Sequence, residues 1–264
     1  MQADYLALFM QSRQAMDVAP GTEQFYHIKL SRFLSEVDVD SAGRQNIEIF
    51  LLQFKNPGNR HAHFRALKTF YNWREEVFGI PSPMRHMHAP KLSKLIMPSL
   101  TREDVLKLIG KVATDRDKAI IALFTESGLR LSELTNIRQD DINWENRTVR
   151  VIGKGRTEKL APFGELTEIY LRLWFHQHVP EKNIWGVNKW GIISIPRRLE
   201  RVSGITCNPH VFRRTFACLL RRAGVDTMTI RDLGRWESLE MVSRYTRAFD
   251  FNDSLKFYKG PLSG

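Results

Sequence analysis

Apolar residues recur at helical spacing along the first third of the chain. They form one-sided stripes within four segments, 3–16, 22–37, 47–54 and 60–78. Stripes of this kind predict amphipathic helices. We expect Asp40 or Ser41 to cap the third helix, and the run Asn56-Pro57-Gly58 to end it. The pattern therefore predicts a small bundle of helices over residues 1–80.

The next segment, 81–100, lacks sustained periodicity and is interrupted by four prolines. Prolines disfavour a helix, and Lys91 and Lys94 make the segment basic. We interpret it as a linker. After it, Thr101 and Asp104 have the spacing of a capping box, which marks the start of a helix. A second domain is therefore predicted over 101–264.

The second domain combines helical periodicity with a short stretch of strand chemistry. Its predicted helices cover 115–125, 131–137, 165–178, 209–223, 226–233 and 239–246. Alternating residues at 147–152 and 158–163 predict two strands, and the turn between them carries Lys154. Segment 183–195 favours neither state. The predicted fold is mainly α, a helical bundle followed by a mostly helical domain with a small β-hairpin or sheet.

Charge is the feature of the composition that departs from an ordinary globular protein. The 264 residues include 42% hydrophobic and 26% charged residues, with 40 Lys and Arg against 29 Asp and Glu, for a net charge of +11. This balance favours a polyanionic partner such as nucleic acid. A basic protein without such a partner is the alternative that charge alone leaves open.

The cysteines, the histidines and the lengths of the apolar runs argue against disulfide-rich, membrane-spanning and metal-binding proteins. Cys207 and Cys218 are too few for a disulfide framework and match no metal-binding spacing. The chain has neither a signal peptide pattern nor an apolar run of membrane-spanning length, so we expect a cytoplasmic protein without a membrane partner. Three His-x-His pairs have no neighbouring acid or cysteine cluster, so no metal site is predicted.

Several side chains suited to phosphate chemistry follow Pro209. His210 and Arg213 are one helical turn apart at a predicted helix start, where exposed N–H groups also favour an anion. Tyr245 supplies a phenol further along the chain. Upstream, Arg130 lies two residues after Gly128. Taken singly, each of these features is more typical of a solvated basic helix, a surface arginine or an ordinary half-buried residue than of a site. Their combination is what indicates a site.

Five short motifs occur in a characteristic order. They are GLR ending at Arg130, GKG around Lys154, HxxRR from His210, LGxW ending at Trp236 and RYT around Tyr245. Over roughly 101–257 this order resembles the catalytic domain of the tyrosine recombinase family, which includes phage integrases and Xer-type recombinases. The resemblance implies that family's catalytic fold and an enzyme that cuts and rejoins DNA at specific sites.

The resemblance also implies roles for individual residues. Arg130 and Arg213 resemble the arginines that hold the scissile phosphate, and Tyr245 matches the nucleophile. Lys154 matches the lysine that protonates the leaving 5′ oxygen, and His210 the histidine that assists proton transfer. A phenol has a pKa of about 10 and is a poor nucleophile until cations favour its phenolate. The resemblance implies no metal and no cofactor.

Two further positions of the motif carry a role, and one departs from the family pattern. Trp236 stands where relatives have His or Trp and can donate its indole N–H to a phosphate oxygen. Glu133 stands where the family often has an acid that supports the first arginine. Arg235 occupies a position where many relatives carry a small or apolar residue, so its role is open.

The resemblance implies double-stranded DNA with inverted-repeat core sites as the partner. Basic residues outside the motifs are candidate DNA contacts, namely Arg60, Arg65, Lys68, Lys91, Lys94, Arg156 and Arg214. A face of the fourth predicted helix, with His61 and His63, is expected to be exposed and basic. The closing apolar stripe of Phe249, Phe251, Leu255, Phe257 and Tyr258 is expected to dock on a neighbouring protomer of a tetramer on two DNA sites.

Alternatives remain within and outside this class of enzyme. The absence of an additional amino-terminal segment favours a simple Xer-like recombinase over a lambda-like integrase, with accessory proteins undetermined. A type IB topoisomerase shares the tyrosine chemistry but relaxes supercoils without pairing two sites. A non-catalytic DNA-binding regulator of the same fold is the other alternative, although it has no use for an attacking phenol.

Overall fold

A computed structural model describes most of the chain. The described residues are 4–92, 98–153, 157–179, 183–247 and 251–258. The chain divides into two compact units, Met1–Leu95 and Ile96–Gly264. Among the described residues, helix length and hydropathy nowhere reach what a bilayer span requires.

The first unit contains the predicted helices. They are α1 (Tyr5–Ala15), α2 (Pro20–Glu36), α3 (Arg44–Leu52) and α4 (Pro57–Phe78). Aromatic side chains dominate the core, with Phe9 packed edge-to-face on Phe70 and Phe33 on Phe50, at centroid distances of 5.6 and 5.0 Å. Met84, from the segment predicted as a linker, is fully buried in the same core. Aromatic side chains therefore supply much of the apolar surface that this unit buries.

The cap of α3 differs from the prediction. Gly43 is the N-cap, and its N–H donates to the side chain of Asn46 at 3.0 Å. Asp40 instead forms an ion pair with the buried Arg74, and Ser41 donates its hydroxyl to a neighbouring aspartate. The predicted cap at Asp40 or Ser41 is wrong because these side chains are engaged by other partners.

The second unit surrounds a central buried helix. Its helices are α5 (Arg102–Gly110), α6 (Asp115–Ser127), α7 (Leu131–Thr135), α8 (Glu165–Gln177), α9 (Lys189–Ser203), α10 (Pro209–Arg222), α11 (Thr227–Leu233), α12 (Leu239–Tyr245) and α13 (Phe251–Leu255). Every residue of α6 from Ala119 to Phe124 is buried, and α5, α8 and α10 pack around it. The capping box predicted at Thr101 and Asp104 is confirmed at the start of α5.

The predicted hairpin is part of a small antiparallel sheet. Its strands are β1 (Ile142–Asn143), β2 (Thr148–Ile152) and β3 (Glu158–Pro162), in the order β1-β2-β3. Val149 pairs with Ala161, and both side chains are fully buried beneath the sheet. Alternate residues of β2 therefore face the core, as a two-residue period requires.

The segment that the pattern left undecided contains a helix. Asn188 caps α9 by accepting the N–H groups of Trp190 and Gly191 at 3.0 and 3.1 Å. Before it, Trp185 is fully buried and donates its indole N–H to the carbonyl of Leu134 at 2.6 Å. This segment is thus fixed to α7, the helix that follows Arg130.

Candidate active site

Arg130 is positioned by the turn between α6 and α7. Gly128 ends α6 with a left-handed φ of 59°, and Arg130 is the N-cap of α7. Its Nη1 donates to Glu133 Oε1 at 2.6 Å, and its backbone N–H donates to Glu133 Oε2 at 2.9 Å. This pair of bonds fixes the direction of the Arg130 guanidinium.

Glu133 is a buried carboxylate, only 5% exposed. Burial alone raises its pKa, but the hydrogen bonds from Arg130 and the nearby Arg235 outweigh burial and leave the pKa below its ordinary value. The carboxylate therefore stays ionised and holds Arg130 in place. This geometry agrees with the supporting role predicted for Glu133.

His210 and Arg213 lie on the first turns of α10. The Asn208 side chain caps this helix by accepting the N–H groups of His210 and Val211, both at 3.0 Å. Arg213 is 4% exposed. Its pKa falls to about 10, because burial and the neighbouring cations Arg130 and Arg235 disfavour its charge. It remains a cation at neutral pH.

Arg130, His210 and Arg213 meet at one cavity of about 330 Å³. The pKa of His210 lies below its ordinary value, because desolvation and the Arg214 and Arg213 guanidiniums disfavour its imidazolium. His210 is thus neutral near pH 7 and able to accept a proton. The cavity combines three cations, Arg130, Arg197 and Arg213, with one proton acceptor.

Trp236 and Tyr245 extend the series of contacts from Arg213. The guanidinium carbon of Arg213 lies 4.6 Å from the centroid of the Trp236 ring. That ring in turn meets Tyr245 at a centroid distance of 5.5 Å and an interplanar angle of 62°. Tyr245 is the last residue of α12 and is half-buried in a small core formed by α10, α11 and α12. The structure therefore brings five of the six predicted catalytic residues together.

The sixth predicted catalytic residue cannot be compared with the structure. Lys154 and Arg156 lie outside the described residues, as does Lys94. On either side of the first two, the N–H of Gly153 donates to the carbonyl of Thr157 at 2.8 Å. The roles of these three residues stay predictions.

The predicted DNA contacts fall into two groups. Arg65 and Lys91 have exposed side chains. Arg60, Lys68 and Arg214 donate instead to backbone carbonyls, for example from Arg214 Nε to Pro98 at 3.0 Å. The second group is therefore engaged in holding the chain together in this structure.

Two histidines of the first unit, His61 and His63, have partners within it. His63 is 3% exposed and stacks on Phe54 at a centroid distance of 3.8 Å, so its expected place on an exposed face is wrong. His61 bonds the carbonyl of Pro90 at 3.0 Å. Within the residues that the structure describes, no cluster of His, Cys, Asp or Glu is arranged to hold a metal ion.

Two glycines of the site have roles that the motifs did not reveal. A Cβ on Gly128 would lie 2.5 Å from the Phe216 ring, and one on Gly234 would lie 1.9 Å from the Trp236 ring. Contacts this short are not tolerated, so each ring packs where only a glycine leaves room. The signal in the sequence was the glycine itself in GLR and LGxW, but its ring partner could not be inferred from that.

A helical unit that gathers arginines and a histidine at one cavity, with a tryptophan packed on one of those arginines and a tyrosine packed on the tryptophan, is the arrangement expected of the class of tyrosine recombinases. Comparison with known proteins agrees, because residues 98–251 match the family described as Phage integrase family. The chain belongs to the phage integrase family.

The individual proteins that this chain resembles are tyrosine recombinases and an integrase. The chain is 29% identical over 262 residues to the tyrosine recombinase XerA of Pyrococcus furiosus, covering 94% of this chain and 90% of that protein. It is 29% identical over 243 residues to the tyrosine recombinase XerC of Chlamydia muridarum, covering 82% and 76%. A lambda integrase dimer bound to a COC′ core site matches with a TM-score of 0.79 at 14% identity, covering 99% of this chain and 80% of that one. At this identity the structural match speaks for the fold alone.

Proposed function

We propose that this chain cuts and rejoins double-stranded DNA at specific sites with Tyr245 as its nucleophile. The phenol oxygen attacks the scissile phosphorus, and the bond from phosphorus to the 5′ oxygen of the next nucleotide breaks. The products are a 3′-phosphotyrosyl linkage and a free 5′ hydroxyl. Attack by a 5′ hydroxyl from another strand reverses the step and releases Tyr245.

The observation that carries the proposal is the unbroken series of contacts from Arg213 through Trp236 to Tyr245. Cations beside a phenol favour its phenolate, which is the nucleophilic form. The same cations neutralise the charge that develops on the pentavalent phosphorus. Arg130, fixed by Glu133, supplies a second guanidinium at the cavity, so the phosphate can be held from two sides.

The Trp236 indole also supports a phosphate ligand. Its Nε1 is buried and has no hydrogen-bond partner among the described residues. A buried donor without an acceptor costs about 1–3 kcal/mol, and a phosphate oxygen at the site would remove that cost. We therefore assign Trp236 a donor role, with no part in proton transfer because an indole cannot accept a proton.

Proton transfer falls to two other residues. His210, neutral near pH 7, accepts a proton as Tyr245 attacks. Lys154 is proposed from its sequence motif to protonate the leaving 5′ oxygen, as a flexible ammonium is suited to do. The arginines supply the charge that this reaction needs, and the phosphotyrosyl bond retains the energy for rejoining. The mechanism therefore requires no metal and no nucleotide cofactor.

The partner arrangement is proposed by analogy. We assign residues 1–80 to a core DNA-binding domain, 81–100 to a linker that crosses the duplex, and 101–264 to catalysis. Arg65, Lys91, Lys94 and Arg156 are the proposed phosphate contacts. A protomer on each half of an inverted repeat, and a tetramer on two sites, would make strand exchange reciprocal. The reaction would take place in the cytoplasm.

Covalent trapping on nicked DNA tests the proposal. A cognate site is first selected from random duplexes with the Tyr245→Phe protein, which binds without cutting. On a suicide substrate carrying a nick beside the scissile phosphate, wild type should form a covalent DNA adduct and Tyr245→Phe should form none. Tyr258→Phe is the matched control, because Tyr258 is 66% exposed and should leave the adduct intact. An adduct that persists in Tyr245→Phe would overturn the assignment.

The same cognate site, placed on linear duplexes and on a supercoiled plasmid, separates the alternatives. Exchange of strands between two linear duplexes that carry the site is expected for a recombinase. Relaxation of supercoiled plasmid without exchange would favour a topoisomerase, and tight binding without any adduct would favour a regulator.

A further inference from the structure

Two backbone turns form the rear of the active site. The first, Ser127–Arg130, joins α6 to α7 and carries Arg130; we call it the Arg130 turn. The second, Leu233–Trp236, joins α11 to the segment before α12 and carries Trp236; we call it the Trp236 turn. The two turns are about a hundred residues apart in the chain, so their relative position depends on side chains that bridge them.

Two arginines link the turns, Arg213 from α10 and Arg235 from within the Trp236 turn itself. Arg213 donates to the carbonyls of Gly128 and Gly234, the latter at 2.7 Å. Arg235 donates to the carbonyl one residue before each of these, that of Ser127 at 3.1 Å and that of Leu233 at 2.7 Å. The bridges therefore lie side by side and hold adjacent carbonyls of the same two turns.

Arg213 cannot serve both as a bridge and as a phosphate ligand with the same N–H groups. Both of its Nη atoms donate to carbonyls in this structure. These bonds use two of its five N–H groups, so a phosphate oxygen must be bound by the remaining three, and the two carbonyl bonds limit how far the guanidinium can turn toward the substrate. Arg235 is 5% exposed and is held away from solvent, so its own bridge persists when Arg213 turns to the substrate.

The backbone conformation of Arg235 and its distance from Glu133 also indicate a specific structural role between the two turns. Its φ of 56° is left-handed, a conformation that side chains other than glycine rarely adopt. Its Nη2 lies 3.7 Å from Glu133 Oε2, so the carboxylate that positions Arg130 is shared between two guanidiniums. Burial lowers the pKa of Arg235 to about 10, while Glu133 favours its charge. The guanidinium stays charged at neutral pH and adds a second cation beside the Glu133 carboxylate.

We propose that Arg235 is a positioning residue for DNA cleavage, which holds the Arg130 turn and the Trp236 turn together and supports Glu133 while Arg213 engages the phosphate. The proposal rests on the proposed function. Arg235 itself does not touch the reacting atoms, so its loss should slow cleavage with little change in DNA affinity.

The test replaces Arg235 with residues that suit its backbone. Arg235→Gly removes the guanidinium and relieves the left-handed conformation, and Arg235→Lys keeps a shorter cationic donor. We expect the single-turnover rate of adduct formation, on saturating suicide DNA, to fall about 10- to 100-fold in Arg235→Gly, since misplacement of about 1 Å can cost that much. The rate for Arg235→Lys should lie between those of wild type and Arg235→Gly. The dissociation constant for DNA is measured in proteins that also carry Tyr245→Phe, so that no cleavage occurs. It should change less than about twofold.

A double-mutant cycle identifies the partner. If Arg235 acts through Glu133, Arg235→Gly combined with Glu133→Gln should lose little more rate than the worse single variant. Arg172→Ala removes an exposed arginine of the same unit and should cleave at the wild-type rate. Should Arg235→Gly destabilise the fold, Arg235→Lys carries the same comparison.

Three outcomes would overturn the inference. They are a wild-type cleavage rate in Arg235→Gly, a rate loss matched by an equal loss of DNA affinity, and additive effects in the cycle. A wild-type protein that forms no adduct at all would instead reject the proposed function, so the two failures are distinguishable.

Discussion

At the residue scale, Gly128 combines a backbone and a packing requirement in one position. Its φ is 59°, and its missing Cβ leaves room for the Phe216 ring. Its carbonyl also accepts a hydrogen bond from the buried Arg213. A side chain here would disturb both the turn that carries Arg130 and the arginine that is proposed to hold the phosphate.

Gly128→Ala should therefore destabilise the protein and impair cleavage. Left-handed strain and overpacking together are expected to lower the free energy of unfolding by about 2–4 kcal/mol. Denaturant titration followed by circular dichroism measures this loss. Gly204→Ala is the matched control, because Gly204 has a φ of 69° with open space around it, and should cost only about 1 kcal/mol. Equal losses in both variants would show that packing against Phe216 contributes nothing.

The motif residues were predictable because each carries its chemistry in a short stretch of sequence. Arg213 and Tyr245 could be assigned from HxxRR and RYT, and the structure brings them to one site through Trp236. The contacts of Arg235 were not predictable, since its bond to Ser127 joins residues 108 positions apart. Local patterns contain no information about which carbonyl a distant guanidinium will reach.

At the element scale, α8 begins at a charged cap that comes from another helix. Glu126, on α6, accepts the N–H groups of Gly164 and Thr167 at 2.9 and 3.1 Å, and the Thr167 hydroxyl at 2.6 Å. A carboxylate at a helix N-terminus also opposes the positive end of the helix dipole. A Cβ on Gly164 would lie 2.6 Å from the Glu126 carboxylate, so the glycine is needed for this approach.

Glu126→Ala should loosen the contact between α6 and α8. Loss of a cap and of charge-assisted hydrogen bonds is expected to lower the free energy of unfolding by about 2 kcal/mol. Thermal and denaturant unfolding of the full chain measure the change. Glu165→Ala, at the exposed first residue of α8, should stay within about 0.5 kcal/mol of wild type. A Glu126→Ala protein as stable as Glu165→Ala would contradict the capping role.

Helices with a clear apolar stripe were predictable, and elements set by tertiary contacts were not. The helices of the first unit and the hairpin strands followed from periodicity. In contrast, α9 contains Pro196 in its interior, a residue that argues against helix in any local pattern. Its helical state depends on burial of Ile192, Ile195 and Leu199 against the core. The cap of α3 was missed for a similar reason, because Asp40 has a tertiary partner in Arg74.

At the scale of the whole molecule, the carboxyl-terminal segment presents apolar side chains that its own unit covers only in part. Leu255, Phe257 and Tyr258 are 52%, 47% and 66% exposed. The Phe257 ring approaches Gly224, where a Cβ would lie 2.8 Å away, so this residue has a contact within the chain. Phe249, predicted as part of the same stripe, lies outside the described residues.

Ending the chain after Arg247 should weaken assembly on DNA without removing the catalytic residues. We expect unchanged affinity for a single half-site, because the basic residues proposed to contact phosphate all precede the cut. On a full inverted repeat, cooperativity in a gel-shift titration should fall, since exposed apolar area of this kind is typical of a protein interface.

Point variants separate docking from a loss of folding in that experiment. Leu255→Ser and Tyr258→Ser remove exposed apolar groups and should each reduce cooperativity partially. Ile169→Ser alters a side chain on α8 that is 46% exposed and should have no effect. Cooperativity that stays at the wild-type level in the truncated chain would mean that the segment packs only within its own protomer, and that another surface joins protomers on DNA.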